Sequence, residues 1–473
     1  MGGDAIVLYP YPGLGHLISM VELGKLLLTH HPSFSITILA STAPTTIAAT
    51  AKLVASSNDQ LTNYIKAVSA NNPAINFHHL PTISSLPDHI EKLNLPFEYA
   101  RLQIPNILQV LQTLKSSLKA LILDMFCDAL FDVAKDLNIP TFYFYTSAGR
   151  SLAVLLNIPT FHRTTNSLSD FGDVPISISG MPPIPVSAIP KLLFDRSTNF
   201  YKSFLSTSTH MAKSNGIILN TFDLLEERAL KALRAGLCLP NQPTPPIFTV
   251  GPLISGKSED NDEHESLKWL NNQPKDSVLF LCFGSMGVFS IKQLEAMALG
   301  LEKSGRRFLW VVRNPPIEEL PVEEPSLEEI LPKGFVERTR DRGLVVRKWA
   351  PQVEVLSHDS VGGFVTHCGW NSVLEAVCNG VPMVAWPLYA EQKLGRVFLV
   401  EEMKVAVGVK ETETGFVSAD ELEKRVRELM DSESGDEIRG RVLEFRNGGV
   451  KAKEEGGSSV ASLAKLAQLW KQK

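Results

Sequence analysis

The sequence lacks the features that mark several classes of protein. Its 473 residues include five cysteines, an odd number without a CxxC pair, so we expect reduced thiols packed as small apolar side chains. No apolar run reaches the about 18 residues that a membrane helix needs. The N-terminus shows no basic stretch ahead of an apolar one, which argues against a secretory signal. We therefore expect a cytoplasmic protein.

An excess of positive charge is also missing. The 46 Lys and Arg residues are outnumbered by 51 Asp and Glu residues, and the net charge of −5 offers no footprint for a nucleic-acid backbone. Apolar residues make up 44% of the chain and charged ones 21%, which is typical of a globular protein with a large core. At roughly 150 residues per domain the length predicts two or three domains, and we expect an enzyme.

Strand-length apolar runs alternate with helix-length segments along most of the chain, which predicts doubly wound parallel α/β sheets. A first series has runs at 5–9, 36–40, 120–123, 141–145, 216–220 and 247–250, and a second at 278–283, 308–312, 344–346, 363–366 and 383–386. Polar, charge-dense sequence separates the two series. We therefore predict an N-terminal domain over 1–250, a linker over 251–273 and a C-terminal domain over 274–455.

A glycine-rich turn, Gly13-Leu-Gly15-His16, follows the first predicted strand. A dinucleotide fingerprint would need a third glycine at position 18, which is Ile, and an acidic residue after the second strand, which runs into Ser41. The sequence therefore argues against a nicotinamide or flavin enzyme. What remains is His16 on the first turn of a helix, where it is either a structural cap or a proton acceptor.

Asp124 ends a predicted strand, so His16 and Asp124 both lie at carboxyl ends of parallel strands, the edge where open α/β sheets bind ligands. An Asp beside a His fixes its tautomer and stabilises the imidazolium, and such a pair can deprotonate a hydroxyl. The alternative is that Asp124 caps the following helix. Asp128 and Asp132 compete for the role on sequence alone.

The segment from Gly251 to Ser258 matches the phosphate-binding loop pattern GxxxxGK[ST] and follows a strand. Pro252 lacks an N–H for a phosphate cradle, and an acidic run from Glu259 to Glu265 stands where a helix should receive the phosphates. Asp260-Asn-Asp262 is formally a DxD metal motif, but a solvated charge cluster explains it better. A P-loop NTPase or kinase is thus a minor alternative.

The stretch from Trp349 to Gln392 contains the densest set of candidate residues. A strand ending in His367-Cys-Gly opens a helix with Asn371 and Ser372, which together present donors and a helix dipole suited to a diphosphate. Glu375, one turn on, can bond a ribose diol, and Trp349 offers a face for a base. Taken singly, the same residues are also explained as a capping box and core tryptophans.

As one set at fixed spacing, this 44-residue stretch resembles the signature box of plant family 1 UDP-sugar-dependent glycosyltransferases. His16, Asp124 and Phe283-Gly-Ser285 fall in the family's order, so the resemblance covers nearly the whole chain. It implies the GT-B architecture, two Rossmann-like domains facing across a cleft. It also implies a C-terminal helix within 456–473 that packs back on the N-terminal domain.

The resemblance implies a role for each matching residue. Catalysis would fall to His16 as general base with Asp124 as its partner. UDP would be bound by Ser285, Trp349, Ala350, Gln352, His367, Asn371, Ser372 and Glu375. The sugar would be bound by Thr146, Trp370, Glu391 and Gln392. A final Gln and a Trp at 370 resemble the glucose users of the family.

The implied reaction is inverting, metal-independent transfer of glucose from UDP-glucose to a phenolic hydroxyl, with no cofactor. The chain is most similar to the flavonoid, isoflavone and chalcone branch, which implies the 7-hydroxyl or its equivalent as acceptor. A carbon-linked product and a non-catalytic UDP-sugar binder stay open as alternatives. We expect a monomer whose partners are small molecules, and the residues do not name the acceptor.

Overall fold

Two parallel β-sheets organise the chain. The computed structural model describes residues 4–42, 51–83, 86, 90–240, 242–256, 264–316 and 325–471. The chain divides into two units, which we call unit 1 (Met1–Ser255 with Lys451–Lys473) and unit 2 (Gly256–Val450). Each unit contains one sheet, so the predicted α/β class with two parallel, Rossmann-type sheets is confirmed.

The strands of the described residues are β1 (Asp4–Tyr9), β2 (Phe34–Ala40), β3 (Ile75–His79), β4 (Leu118–Asp124), β5 (Thr141–Tyr145), β6 (Gly216–Leu219), β7 (Ile247–Thr249), β8 (Val278–Cys282), β9 (Arg307–Val312), β10 (Gly343–Arg347), β11 (Val361–Thr366), β12 (Met383–Ala385) and β13 (Ala406–Gly408). The central strands are buried apolar runs because helices cover both faces of a doubly wound sheet.

The helices of the described residues are α1 (Leu14–His30), α2 (Ala51–Asn71), α3 (Leu95–Leu102), α4 (Ile104–Leu114), α5 (Leu130–Asp136), α6 (Gly149–Thr164), α7 (Asn199–Lys213), α8 (Glu227–Arg234), α9 (Glu265–Leu270), α10 (Ile291–Ser304), α11 (Leu327–Ile330), α12 (Phe335–Arg338), α13 (Gln352–Leu356), α14 (Trp370–Asn379), α15 (Gln392–Val397), α16 (Ala419–Asp431), α17 (Glu433–Lys453) and α18 (Ser458–Lys471). None of these helices is both long enough and apolar enough to span a bilayer.

The sheet of unit 1 has the order β3-β2-β1-β4-β5-β6-β7. The chain builds outward from β1 in one direction and from β4 in the other, so the topological switch point lies between β1 and β4. Ligands of open α/β sheets bind at such points, beyond the carboxyl ends of the strands. The residues that follow β1 and β4 are therefore the first candidates for a site in unit 1.

The sheet of unit 2 repeats this logic with the order β10-β9-β8-β11-β12-β13. Its switch point lies between β8 and β11, where Thr366 pairs in register with Cys282. The residues that follow β8 and β11 thus occupy the same topological position in unit 2 as those after β1 and β4 in unit 1.

Helix α18 belongs to the core of unit 1. Its side chains Leu463, Leu466 and Trp470 are buried in that core. The Trp470 ring meets Phe34 and Phe142 edge-on, with centroids 5.8 and 5.7 Å apart. The C-terminal segment is thus held by apolar burial and aromatic contacts worth about 1 kcal/mol each beyond that burial.

Candidate active site

His16 and Asp124 meet at the switch point of unit 1. Nδ1 of His16 lies 2.6 Å from Oδ2 of Asp124, whose side chain is fully buried, while the imidazole is partly exposed. An ionised carboxylate can only accept, so Nδ1 carries the hydrogen and the lone pair of neutral His16 is on Nε2. The pair therefore presents a proton acceptor, backed by a buried negative charge.

The same carboxylate also caps the next turn of chain. Oδ1 of Asp124 accepts the N–H of Phe126 at 3.0 Å, so the capping and the His-orienting interpretations both hold, each through its own oxygen. Asp128 is engaged elsewhere, by the hydroxyl of Tyr143 and by His210. The side chain of Asp132 is 70% exposed and faces His210. Of the three acidic residues that competed on sequence, Asp124 is the partner of His16.

Thr146, which follows β5, lies beside His16. Its Oγ1 is 3.3 Å from Nδ1 of His16. The loop that carries Thr146 leads into α6, whose first N–H groups, those of Gly149 and Arg150, are bonded by the buried carboxylate of Glu226. Thr146 is thus positioned by a strand end and by a capped helix.

Two aromatic rings lie beside His16 and lead into a larger aromatic cluster, which was not predicted from the sequence. Tyr11 and Phe126 lie 5.4 and 5.7 Å from the imidazole between ring centroids. Phe126 in turn contacts Phe97 and Phe204, and Phe200 packs on Phe204. Burial raises the pKa of Tyr11 to about 12, so its phenol stays neutral. Scattered over four segments, these rings left no local pattern in the sequence.

His367 lies at the switch point of unit 2, directly after β11. A Cβ added to Gly284 would approach its ring to 2.9 Å, and one added to Gly369 would clash with Nε2. The imidazole therefore fits only because both positions are glycine. Burial lowers the pKa of His367 to about 4, and its buried Nδ1 has no hydrogen-bond partner among the described residues. A neutral imidazole in this position is ready to donate to an anion.

Helix α14 begins beside His367 and contributes polar side chains along one face. Nε2 of Gln352 lies 2.9 Å from Oγ of Ser372 and 2.5 Å from Oε2 of Glu375. Burial raises the pKa of Glu375 to about 7, although the Gln352 bond opposes the shift. Three of the predicted UDP-binding residues therefore form one connected group near the positive end of a helix.

The other predicted nucleotide-binding residues lie on the loops around that helix. Trp349 follows β10, leaves 55% of its surface exposed and meets His264 edge-on. Ala350 beside it is buried, and Ser285 is exposed on the loop after β8. Trp349 therefore offers an open ring face at the carboxyl edge of the sheet.

The predicted sugar-binding residues of unit 2 are Trp370, at the start of α14, and Glu391 and Gln392, at the start of α15. Trp370 opens α14 and is buried, whereas Asn371 next to it is half-buried. Glu391 stands at the N-cap position of α15 without a side-chain capping bond, and Oε1 of Gln392 accepts the N–H groups of Leu388 and Tyr389. The Gln392 amide NH₂ is thereby oriented as a donor.

The P-loop-like segment does not form a phosphate cradle where it is described. The N–H of Gly251 donates to the Thr221 carbonyl, and that of Leu253 donates to the Asn220 side chain. The Ser459 hydroxyl donates to the Gly251 carbonyl. These two N–H groups therefore form hydrogen bonds within the chain and are not available to a phosphate. Lys257, Ser258 and the Asp260–Asp262 motif lie outside the described residues.

A cluster of three or more His, Cys, Asp or Glu side chains arranged to hold a metal is not found among the residues that the structure describes.

The two switch points together describe a doubly wound α/β protein with a His16–Asp124 pair in one unit and a group of buried polar side chains around His367 and α14 in the other. The family model described as UDP-glucoronosyl and UDP-glucosyl transferase matches residues 33–439. This chain belongs to that family of UDP-glycosyltransferases.

Relatives and solved structures agree with this membership. The chain is 98% identical, over the full length of both sequences, to the anthocyanidin 5,3-O-glucosyltransferase of a Rosa hybrid cultivar. It is 50% identical to isoflavone 7-O-glucosyltransferase 1 of Glycine max over 99% of each sequence. The structure of Phytolacca americana UGT2 with UDP-2fluoro-glucose and pterostilbene matches at a TM-score of 0.85 and 37% identity, covering 99% of this chain and 100% of that one. The GT-B fold class is thereby confirmed.

Proposed function

We propose that this enzyme transfers glucose from UDP-glucose to a phenolic hydroxyl of an anthocyanidin or a related flavonoid. The observation that carries the proposal is the His16–Asp124 pair, 2.6 Å apart, with the rings of Tyr11 and Phe126 beside the imidazole. Such a pair can activate a hydroxyl, and the rings suit a flat phenolic acceptor.

In the proposed reaction Nε2 of His16 takes the proton of the acceptor hydroxyl. The acceptor oxygen then forms a bond to C1 of glucose while the bond from C1 to the β-phosphate oxygen breaks, and its electron pair leaves with UDP. Asp124 stabilises the imidazolium that results. Attack opposite the departing UDP inverts the anomeric centre.

The acceptor is proposed to lie against the rings of Tyr11, Phe97, Phe126, Phe200 and Phe204. Phe97 is buried, and the other four rings are half-buried, so they keep surface for a ligand. Offset and edge-on aromatic contacts contribute about 0.5 to 1.5 kcal/mol per pair beyond area burial. An aromatic acceptor is therefore favoured over an aliphatic alcohol.

The donor is proposed to bind unit 2. Uracil would stack on Trp349 and bond the backbone of Ala350, the ribose diol would bond Glu375 near Gln352, and the diphosphate would accept hydrogen bonds from Ser285, His367, Asn371 and Ser372. Trp370, Glu391, Gln392 and Thr146 would hold the glucose. These neutral donors and the α14 dipole meet the diphosphate without a metal in this proposal.

The position of glucosylation is also a proposal. The resemblance alone implies the 7-hydroxyl, which matches the name of the Glycine max relative. The name of the relative at 98% identity instead favours the 5- and 3-hydroxyls of an anthocyanidin. We give the second greater weight because so few residues differ.

The test is a turnover assay with UDP-glucose and a panel of anthocyanidins, isoflavones and chalcones, with and without EDTA. Mass spectrometry detects the glucoside, and NMR reads the linkage position, the anomer and whether oxygen or carbon carries the sugar. We expect β-O-glucosides of the anthocyanidins at 3 and 5, unaffected by EDTA. Binding of UDP without any glucosylated product, or a preference for another UDP-sugar, would overturn the proposal.

A further inference from the structure

Arg313 lies one residue beyond β9, at the carboxyl edge of the unit 2 sheet. Strand β9 pairs with β8 on one side, where Leu281 is opposite Trp310, and with β10 on the other, where Arg347 is opposite Val312. This register places Arg313 one strand away from the loop of Gly284 and Ser285. Arg313 was not among the residues implied by sequence.

Arg313 has no countercharge among the residues that the structure describes. The side chain is half-buried, and the titratable groups that act on it are the Cys282 thiol and the Tyr389 phenol, both neutral near pH 7 because burial raises the pKa of each. Within the described part of the chain, no hydrogen bond or ion pair engages its guanidinium.

A neighbouring arginine shows the contrast. Arg347, on the adjacent strand, donates to Oδ1 of Asn314 and to the Pro325 carbonyl. A partly buried guanidinium stays protonated and costs free energy unless it is paired, so an arginine without a partner indicates a ligand that supplies the negative charge.

The strand register places Arg313 beside the candidate diphosphate site, and the two groups that act on it electrostatically lie there too. Cys282 ends β8 just before Gly284, which packs on His367, and the Tyr389 ring lies 6.1 Å from the His367 ring between centroids. We propose that Arg313 binds the diphosphate of UDP-glucose and stabilises the charge on departing UDP; this inference rests on the proposed function.

The chemistry of the proposed step favours such a group in addition to the neutral donors. As the bond from C1 to the β-phosphate oxygen breaks, its electron pair stays on that oxygen and the diphosphate gains negative charge. The acceptor proton goes to His16, so nothing in the step neutralises UDP itself. A guanidinium that forms hydrogen bonds to phosphate oxygens would compensate that charge, and it does so more strongly in the transition state than in the ground state.

Binding of UDP and of uridine to matched variants tests the proposal. Arg313→Gln should weaken UDP binding by about 10- to 100-fold, as expected for the loss of a charge-assisted hydrogen bond, and leave uridine binding unchanged. Arg313→Lys should restore part of the loss. Arg307→Gln, on the opposite end of β9 where Arg307 donates to Gln273, should change neither affinity.

Equal UDP affinity in Arg313→Gln and wild type would overturn the proposal, and so would a parallel loss of uridine binding, which indicates structural damage. Because these titrations need no acceptor, they are independent of the reaction assigned above. Wild-type protein that binds UDP but glucosylates no phenol would refute the proposed function and leave the Arg313 result standing.

Discussion

Nδ1 of His16 lies 2.6 Å from Oδ2 of Asp124, although 108 residues separate them in the chain. Parallel strands explain the meeting: β1 and β4 are hydrogen-bonded neighbours, with Tyr9 opposite Leu123, so the residues after them emerge at one edge. The contact is between a partly exposed imidazole and a fully buried carboxylate, the arrangement expected of an oriented base.

Asp124→Asn should slow turnover by about 10²- to 10⁴-fold while leaving UDP affinity unchanged. The asparagine side-chain oxygen can still accept the Phe126 N–H, but the imidazolium loses its countercharge. Steady-state kinetics and UDP titration measure the two effects. Asp132→Asn, at a side chain that is 70% exposed, is the control and should behave as wild type. Wild-type turnover in Asp124→Asn would contradict the role.

Burial raises the pKa of Glu375 to about 7. In the proposed binding mode the ribose hydroxyls would donate to its ionised form, so UDP binding should tighten as the pH rises through about 7. Binding should therefore release a proton, which calorimetry in buffers of different ionisation enthalpy detects. The folding stability of the unliganded protein should depend on pH with the opposite sign. Between pH 4.5 and about 7 the folded chain binds more protons than the unfolded one, so stability from this group falls as pH rises.

The pH dependence can be assigned with Glu375→Gln, which should bind UDP more weakly and with a flat profile. His367, with its pKa lowered to about 4, stays neutral over the same range and does not contribute. A pH-dependent affinity that persists in Glu375→Gln would show that another group is responsible.

Gly369→Ala should weaken UDP binding without unfolding the protein. A Cβ at this position clashes with Nε2 of His367, so the imidazole must move. Loss of its hydrogen bond to a charged phosphate would cost about 1.5 to 3 kcal/mol, or about 10- to 150-fold in affinity. UDP titration and thermal unfolding measure the two quantities. Gly440→Ala, where an added Cβ meets nothing within 4 Å, should bind UDP normally. Full UDP affinity in Gly369→Ala would contradict the account of His367.

Glu226→Gln should destabilise unit 1 by about 3 to 5 kcal/mol, the usual cost of breaking a buried ion pair. Its carboxylate caps α6 through two N–H groups and lies 3.3 Å from Nη1 of Arg150. Chemical denaturation gives the free energy of unfolding. In contrast, Lys231→Ala breaks an exposed pair with Glu227 and should cost less than about 0.5 kcal/mol. Equal stabilities for the two variants would refute this difference.

Periodicity predicted the central strands because burial on both faces makes them apolar runs, as in β4 and β8. The edge strand β3 was missed since most of Ile75–His79 is exposed and polar, and the edge strand β13 (Ala406–Gly408) was missed too. Switch-point geometry depends only on strand order, which is why His16 and His367 could be singled out.

Other parts of the site had no signal in the sequence. The rings around His16 come from distant segments that only tertiary packing brings together, as Phe97 and Phe204 show with centroids 5.6 Å apart. In the sequence Arg313 is an ordinary charged residue after a strand, and only the absence of a partner among the described residues distinguishes it. Burial and pairing are properties of the fold that no single stretch of chain encodes.

The most direct test of the account is the turnover of His16→Ala with saturating UDP-glucose and an anthocyanidin. Because the substitution removes the proton acceptor and leaves unit 2 untouched, we predict that glucoside formation falls by at least about 100-fold while UDP affinity stays that of wild type. Undiminished turnover in His16→Ala would contradict the assignment of His16 as the base.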